Sequence, residues 1–395
     1  MMLNEKMYGL GSKSSVIREL FAYGLERKKL VGEDKVYDFS LGNPSIPAPP
    51  QVKQALLELL EEPAEALHGY TPASGIPEVR KILAESVNRR FGTHFTAENF
   101  YMTVGAAASL NISIHAVANP GDDFIAFAPF FPEYRVWVEN AEANLLVSPA
   151  DTESFQIDFE AFERLISPRT KGIIINSPNN PSGVVYSEET IKKLAALLEQ
   201  KQKEYGTIIY LITDEPYREI VYDGLTVPYV TQYYENTIVC YSYSKSLSLP
   251  GERIGYIIVP DEMADSGRVM AAVAGAGRAL GYVCAPALFQ RAVARCADVT
   301  GDISAYARNR DLLYNGLTKL GYECVRPQGA FYLFVKSLEP DANAFSEKAK
   351  QHDVLVVPSD SFGCAGYVRI SYCVSEKTII DSMPAFAEIM REYQI

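Results

Sequence analysis

Two hydrophobic patterns alternate along the chain. Short apolar runs that end in polar or glycine-containing turns read as strands: 100–104 (FYMTV), 124–128 (FIAFA), 172–176 (GIIIN), 207–213 (TIIYLIT), 237–243 (TIVCYSY) and 254–259 (IGYIIV). A run such as GIIIN, apolar with no alternation, suits a strand buried on both faces. Between the runs, residues 107–118 read as a helix, and residues 188–204, rich in Glu, Lys, Leu and Ala, read as an amphipathic one. Strand–helix alternation predicts an α/β fold in which a mostly parallel sheet carries helices on both faces.

The pattern changes after about residue 290. One long helix is predicted over 289–320, then a strand at 331–335 (FYLFV), a helix at 342–351, and strands at 354–358 (VLVVP) and 367–372 (YVRISY). This reads as a smaller α+β unit. The residues before about 45 precede the large sheet and contain a strand-like VYDFSL (36–41), so they are assigned to the same unit. The expected division is therefore a large domain over 46–289 and a small domain built from 1–45 and 290–395. A chain of 395 residues is too long for one ordinary core.

Composition narrows the function classes. The net charge of −12 repels phosphodiester backbones, so nucleic acid is not an expected partner. The six cysteines form no C-x-x-C pair and several sit in apolar stretches, which predicts reduced thiols in a cytoplasmic protein. The four histidines are widely spaced, and no metal site is expected. The first twenty residues carry charge throughout and read as neither a signal peptide nor an anchor. No run approaches the ~18 apolar residues of a membrane span.

Ligands of open α/β sheets sit at the carboxyl ends of the strands, so the polar residues there are the informative ones. Four such ends stand out. Gly105-Ala106-Ala107-Ala108-Ser109 places small residues between a strand and a helix, where backbone N–H groups can meet an anion; a plain tight turn has the same pattern. In Ser177-Pro178-Asn179-Asn180-Pro181-Ser182-Gly183, two prolines and a glycine fix the loop around the Asn180 amide, and an ordinary Asn-Pro turn is the alternative. Asp214, in Thr213-Asp214-Glu215-Pro216-Tyr217, follows an apolar strand into a partly dehydrated crevice, where a carboxylate needs a cationic partner. Lys245 lies just beyond another apolar strand in Ser242-Tyr243-Ser244-Lys245-Ser246, a setting that lowers a lysine pKa and exposes a nucleophilic amine. Arg253, eight residues on, offers a fork for a phosphate dianion.

Taken together, these motifs resemble those of the fold-type I enzymes that use pyridoxal 5′-phosphate (PLP), in particular the class I/II aminotransferases. S-Y-S-K-S-L-S-L-P-G-E-R-I-G is similar to the family's PLP-lysine motif, and D-E-P-Y and S-P-N-N-P-S-G to two further markers. The likeness runs from about Asp38 to about Ser371, with the motifs in the family's order and spacing. It implies a seven-stranded-type sheet in the large, PLP-binding domain and a small domain that closes on substrate.

The resemblance also implies roles. Lys245 would carry the cofactor covalently and then move the proton. Asp214 would pair with the pyridine nitrogen. Tyr217 and Asn180 would bond the ring oxygen, and Tyr134 would stack on the ring face. The phosphate would be held at Gly105, Ala106 and Ala107, by Ser242, Ser244 and Arg253, and by Tyr70 reaching across the interface of a homodimer with shared sites. Arg369, in Tyr367-Val368-Arg369-Ile370-Ser371, would grip the substrate α-carboxylate as a bidentate pair. Asn180 and Gly42, in Ser40-Leu41-Gly42-Asn43-Pro44, would complete the substrate contacts, a turn being the rival reading of Gly42.

The implied reaction is a ping-pong amino transfer between an L-amino acid and a 2-oxo acid, with aspartate aminotransferase-like activity as one form. A carbon–sulfur β-lyase on the same scaffold is the nearest alternative, and a non-catalytic PLP-binding regulator a remote one. One departure bears on substrate. Some aspartate aminotransferases place a lysine in the turn before the cofactor helix to bind the distal carboxylate, and here Ala106-Ala107-Ala108 fills that turn.

Overall fold

The fold is seen in a computed structural model that describes residues 3–12 and 15–394; part of the N-terminal stretch read above, and the ends of the expected small domain, lie outside the described residues. A short strand, β1 (Tyr37–Asp38), precedes seven strands that form one sheet. These are β2 (Phe100–Thr103), β3 (Asp123–Phe127), β4 (Asn144–Ser148), β5 (Thr170–Asn176), β6 (Tyr210–Asp214), β7 (Thr237–Ser242) and β8 (Gly255–Ile258). Their order across the sheet is β2-β8-β7-β6-β5-β3-β4. The strands from β7 to β4 pair in parallel, and β8 runs antiparallel to both β7 and β2.

The uniformly apolar strands are explained by their two buried faces. On β3, Phe124 and Ala126 enter one core cluster while Ile125 and Phe127 enter another. On β5, Ile174 faces the first and Ile173 and Ile175 the second. Successive side chains point to opposite faces, so burial on both sides removes the alternation a half-exposed strand would show.

Helices cover both faces. The helix Glu188–Tyr205 packs Ile191, Leu194, Ala195 and Leu198 against the sheet, a spacing of three and four that gives one apolar stripe. Ser187 caps it by accepting a hydrogen bond from the Thr190 N–H at 3.0 Å, and Gly206 ends it at φ 66°. On the opposite face lie Ala106–Val117, Glu133–Asn140 and Ser266–Ala279.

The remaining strands are β9 (Tyr332–Lys336), β10 (Val354–Leu355), β11 (Val357–Pro358) and β12 (Tyr367–Ser371). β12 pairs antiparallel with both β11 and β9, while β10 pairs in parallel with β1. Two predictions are corrected here. The expected strand 354–358 is split between two sheets, and the single helix expected over 289–320 is two, Ala287–Arg295 and Ser304–Leu320. The second break falls where Asp298, Thr300, Gly301 and Asp302 interrupt the apolar periodicity. The Gly301 N–H bonds the Ser246 carbonyl at 3.1 Å, so the intervening turn is tied to the loop after β7.

Candidate active site

The carboxyl ends of β5, β6 and β7 open onto a cavity of about 510 Å³. Asn176, Asp214 and Ser242, the last residues of those three strands, line it side by side. Lys245 enters from the short helix Tyr243–Ser246, and Ala106 and Ala107 from the start of the helix after β2. Arg369 reaches in from β12, whose Val368 and Ile370 are fully buried.

Each polar group is held by local chemistry. Lys245 Nζ donates to the Gly42 carbonyl at 2.7 Å and lies 5.4 Å from the Phe331 ring centroid. Burial pushes its ammonium down to about 8; the nearby Cys373 thiol opposes this, and Arg369 and Arg253 add to it. Asp214 Oδ2 accepts from the Tyr134 hydroxyl at 2.6 Å, while Asp214 Oδ1 is buried with no partner among the described residues. Burial raises the Asp214 carboxyl to about 7, against the Tyr134 hydrogen bond. A buried carboxylate with one oxygen open to a cavity is costly unless a donor or cation meets it there.

Arg369 is 2% exposed and has no carboxylate partner among the described residues. Its Nη2 donates to the Ser40 carbonyl at 2.6 Å and its Nη1 to Asn180 Oδ1 at 3.2 Å, leaving Nε unpaired. The Asn180 backbone N–H is in turn fixed by Asn176 Oδ1 at 2.7 Å, and Asn176 Nδ2 donates to the Asp214 carbonyl at 2.8 Å. The Tyr217 and Tyr332 hydroxyls lie 2.9 Å apart. At the other end, Arg253 Nη1 donates to Ser244 Oγ at 3.3 Å, and Ser244 Oγ is 2.7 Å from Ser242 Oγ.

The structure thus brings Lys245, Asp214, Tyr217, Asn180, Ser242, Ser244, Arg253, Arg369, Gly42, Ala106 and Ala107 to one cavity. Gly105 stands just behind it. Its φ is 95°, and a Cβ there would lie 2.6 Å from Arg253 Nη2, so only glycine lets the strand turn into the helix beside that guanidinium. Tyr70 is 95% exposed and is not part of the cavity wall of its own chain. Tyr134 departs from the stacking role expected of it. It lies behind Asp214, buried, with its hydroxyl spent on that carboxylate, and Phe131 of the same segment lines the cavity instead. Phe131 precedes Pro132, which opens the helix Glu133–Asn140, and Tyr134 lies in the first turn of that helix; their rings meet edge to face at 5.8 Å, with Phe131 on the cavity side. Asn176, Tyr332, Trp137 and Arg18 also line the cavity and were not singled out from the sequence. The asparagine ending GIIIN was the one visible hint, a polar residue closing a strand otherwise buried on both faces.

The chain as a whole has known relatives. The family model described as Aminotransferase class I and II matches residues 34–381. The chain belongs to the class I and II aminotransferase family. It is 34% identical to the aspartate/prephenate aminotransferase of Thermus thermophilus over 88% of this chain and 89% of that one. An aminotransferase crystal structure from Eubacterium rectale superposes with a TM-score of 0.98 at 61% identity, covering all of both chains. The aspartate aminotransferase of Thermus thermophilus with maleate superposes with a TM-score of 0.87 at 30% identity, over 98% of this chain and 100% of that one.

The protein is therefore an aminotransferase, an enzyme that moves an amino group between an amino acid and a 2-oxo acid, in a family whose chemistry runs on PLP. The lyase and regulator readings are not favoured, since the matched family and these relatives are all aminotransferases. Among the described residues no helix is long and apolar enough to cross a membrane, and no cluster of three or more His, Cys, Asp or Glu is placed to hold a metal ion.

Proposed function

We propose that the cavity holds PLP on Lys245 and that the enzyme transfers amino groups from a dicarboxylic amino acid such as aspartate to a 2-oxo acid. The observation that carries this reading is the triangle of complementary needs around one cavity: an amine of lowered pKa, a buried carboxylate with an open oxygen, and a buried guanidinium with no counter-ion among the described residues. The residues fit the group. Asp214 Oδ1 would meet the protonated ring nitrogen, Tyr217 and Asn180 the ring oxygen, and Phe131 a ring face. Ser242, Ser244, Arg253 and the N–H groups at Ala106 and Ala107 would take the phosphate.

When bound, PLP supplies an aldehyde for the amino group and a ring that withdraws electron density from the substrate Cα. The chain's own residues do the rest. Arg369 orients the substrate through its α-carboxylate as a fork. The Lys245 amine, whose ammonium burial makes easier to deprotonate, takes a proton from the substrate Cα and returns it on the other side of the transfer. Asp214 keeps the ring nitrogen protonated. For the distal carboxylate, Ala106-Ala107-Ala108 offers no charge, and Arg18 is the cation we assign. It is exposed, lines the same cavity and forms no ion pair among the described residues. Relatives named aspartate aminotransferase support this substrate class.

We further propose the domain division 46–289 against 1–45 with 290–395. The β1–β10 pairing and the Arg27–Asp353 ion pair at 2.6 Å support placing the N-terminal segment with the second unit. A homodimer is proposed, with Tyr70 of one copy serving the other's phosphate, in the cytoplasm, where thiols such as Cys240 stay reduced.

The test is direct. Purified protein given PLP is expected to turn yellow, and borohydride reduction followed by peptide mapping to place the label on Lys245. Aspartate should then bleach the colour to the amino form, and 2-oxoglutarate restore it. Colourless protein, or a label on another side chain, would end this reading.

A further inference from the structure

Tyr332, on β9, touches three of the groups that the proposed function uses. Its hydroxyl is 2.9 Å from that of Tyr217, and it is the hydrogen-bond partner Tyr217 Oη has among the described residues. Its ring lies under the Arg369 guanidinium, 4.8 Å from centroid to Cζ. It also fills the space beside Gly42: a Cβ built on Gly42 would fall 2.0 Å from Tyr332 Oη. Gly42, whose carbonyl accepts from Lys245, is thus a glycine because Tyr332 occupies the place of its side chain. The Tyr217 and Tyr332 rings meet edge to face at 5.6 Å and 82°. Both are buried apart from what they present to the cavity, so each is the other's main hydrogen-bond partner within the protein.

We propose that Tyr332 is a positioning residue that ties the substrate-carboxylate arginine to the cofactor-side tyrosine, its ring seating Arg369 and its hydroxyl donating to Tyr217. The inference rests on the functional reading above. Direction follows from the role proposed for Tyr217: its hydroxyl has one proton, and with that proton on the ring oxygen, Tyr332 must be the donor across the 2.9 Å contact. Burial raises both phenols, Tyr332 to about 12 and Tyr217 well above its usual value, and Arg369 opposes the rise at each, so both stay protonated. The bond from Tyr332 leaves the Tyr217 proton free to point into the cavity, strengthened by the bond behind it.

The two contacts separate by mutation. In the PLP-loaded enzyme, Tyr332→Phe removes the hydroxyl and keeps the ring. It is expected to raise the pH midpoint of the bound cofactor's visible band by roughly half a unit to one unit, with the amino acid KM within about twofold of wild type. Tyr332→Leu removes both, and should also raise that KM by about fivefold, the size of a lost cation–π contact. In a Tyr217→Phe background, Tyr332→Phe should leave the midpoint where Tyr217→Phe alone puts it. A Tyr332→Phe enzyme that titrates at the wild-type pH, or whose KM rises as far as that of Tyr332→Leu, overturns the inference alone. A wild-type protein that takes up no PLP overturns the functional reading, and this inference with it.

Discussion

Asp214 is where the cost of this site is concentrated. Its carboxyl is raised by burial from 3.8 to about 7 in the folded protein. A carboxyl of raised pKa binds more protons when folded than when unfolded, so stability falls as pH climbs from about 4 to about 7 and is flat above. In the cofactor-free protein, Asp214→Asn is therefore expected to stabilise at pH 8, by on the order of 2–4 kcal/mol, and to have no effect below pH 4. Urea unfolding of the two proteins across that range measures it, and a variant less stable than wild type at pH 8 would refute the account. Arg18 is tested on the specificity side. Arg18→Gln should cost about tenfold in kcat/KM for aspartate, the worth of a charged hydrogen bond, and leave alanine turnover within about twofold. Equal losses for both donors would show that Arg18 only shapes the entrance. Glu133 lines the same cavity, so Glu133→Gln should move aspartate the other way. Much of this site was legible one residue at a time, because Asp214 closes an apolar strand, Arg369 interrupts one, and Asn180 and Lys245 follow within a few residues of the ends of two others. Tyr134 was misplaced because which aromatic of Pro129-Phe130-Phe131-Pro132-Glu133-Tyr134 faces the cavity depends on the turn at Pro132, and spacing alone carries no sign of it. Tyr332 was hidden in FYLFV, where a buried tyrosine looks like any other core aromatic.

At the scale of elements, the strand-to-helix turn after β2 is the strictest piece of geometry. Gly105 is at φ 95°, and its missing side chain makes room for Arg253 Nη2. Gly105→Ala is expected to strain the backbone by about 1–3 kcal/mol and to push the Arg253 guanidinium away. PLP affinity measured by equilibrium dialysis should fall at least tenfold, with overall secondary content by circular dichroism unchanged; wild-type affinity would show that the turn tolerates a side chain. The elements that could be read in advance were those buried on both faces. The apolar runs of β3, β5, β6 and β7 have no other explanation, and Glu188–Tyr205 carries its stripe, cap and terminal glycine in plain view. The helix Val16–Val31 was not legible, because among its sixteen residues only Leu20 and Gly24 are buried and the periodic signal is correspondingly thin. VLVVP read as one strand because its composition is uniform. It is divided because Val354 and Leu355 pair with β1 whereas Val357 and Pro358 pair with β12, a choice made by distant partners.

For the whole molecule, the decisive residue is one with no hydrogen bond or ring contact among the described residues. Tyr70 is 95% exposed, and the neighbouring helix Pro50–Leu60 leaves Leu57 and Leu60 more than half exposed. Large apolar side chains left open on the segment that leads to an exposed tyrosine suit a surface that a second copy covers. If each site takes Lys245 from one subunit and Tyr70 from the other, two crippled proteins can repair each other. Lys245→Ala dimers have no amine and should be inactive, and Tyr70→Ala dimers should bind the phosphate poorly. In a mixed dimer, one site receives Lys245 from the Tyr70→Ala subunit and Tyr70 from the Lys245→Ala subunit, and is complete. Random reassortment of equal amounts makes half the dimers mixed, each with one complete site, so activity should return to about a quarter of the wild-type rate at limiting PLP. The measurement is activity after the two variants are unfolded and refolded together, against each refolded alone. Activity no greater than the mean of the separate samples would mean that each site is built within a single chain, and the exposure of Tyr70 would then need another cause.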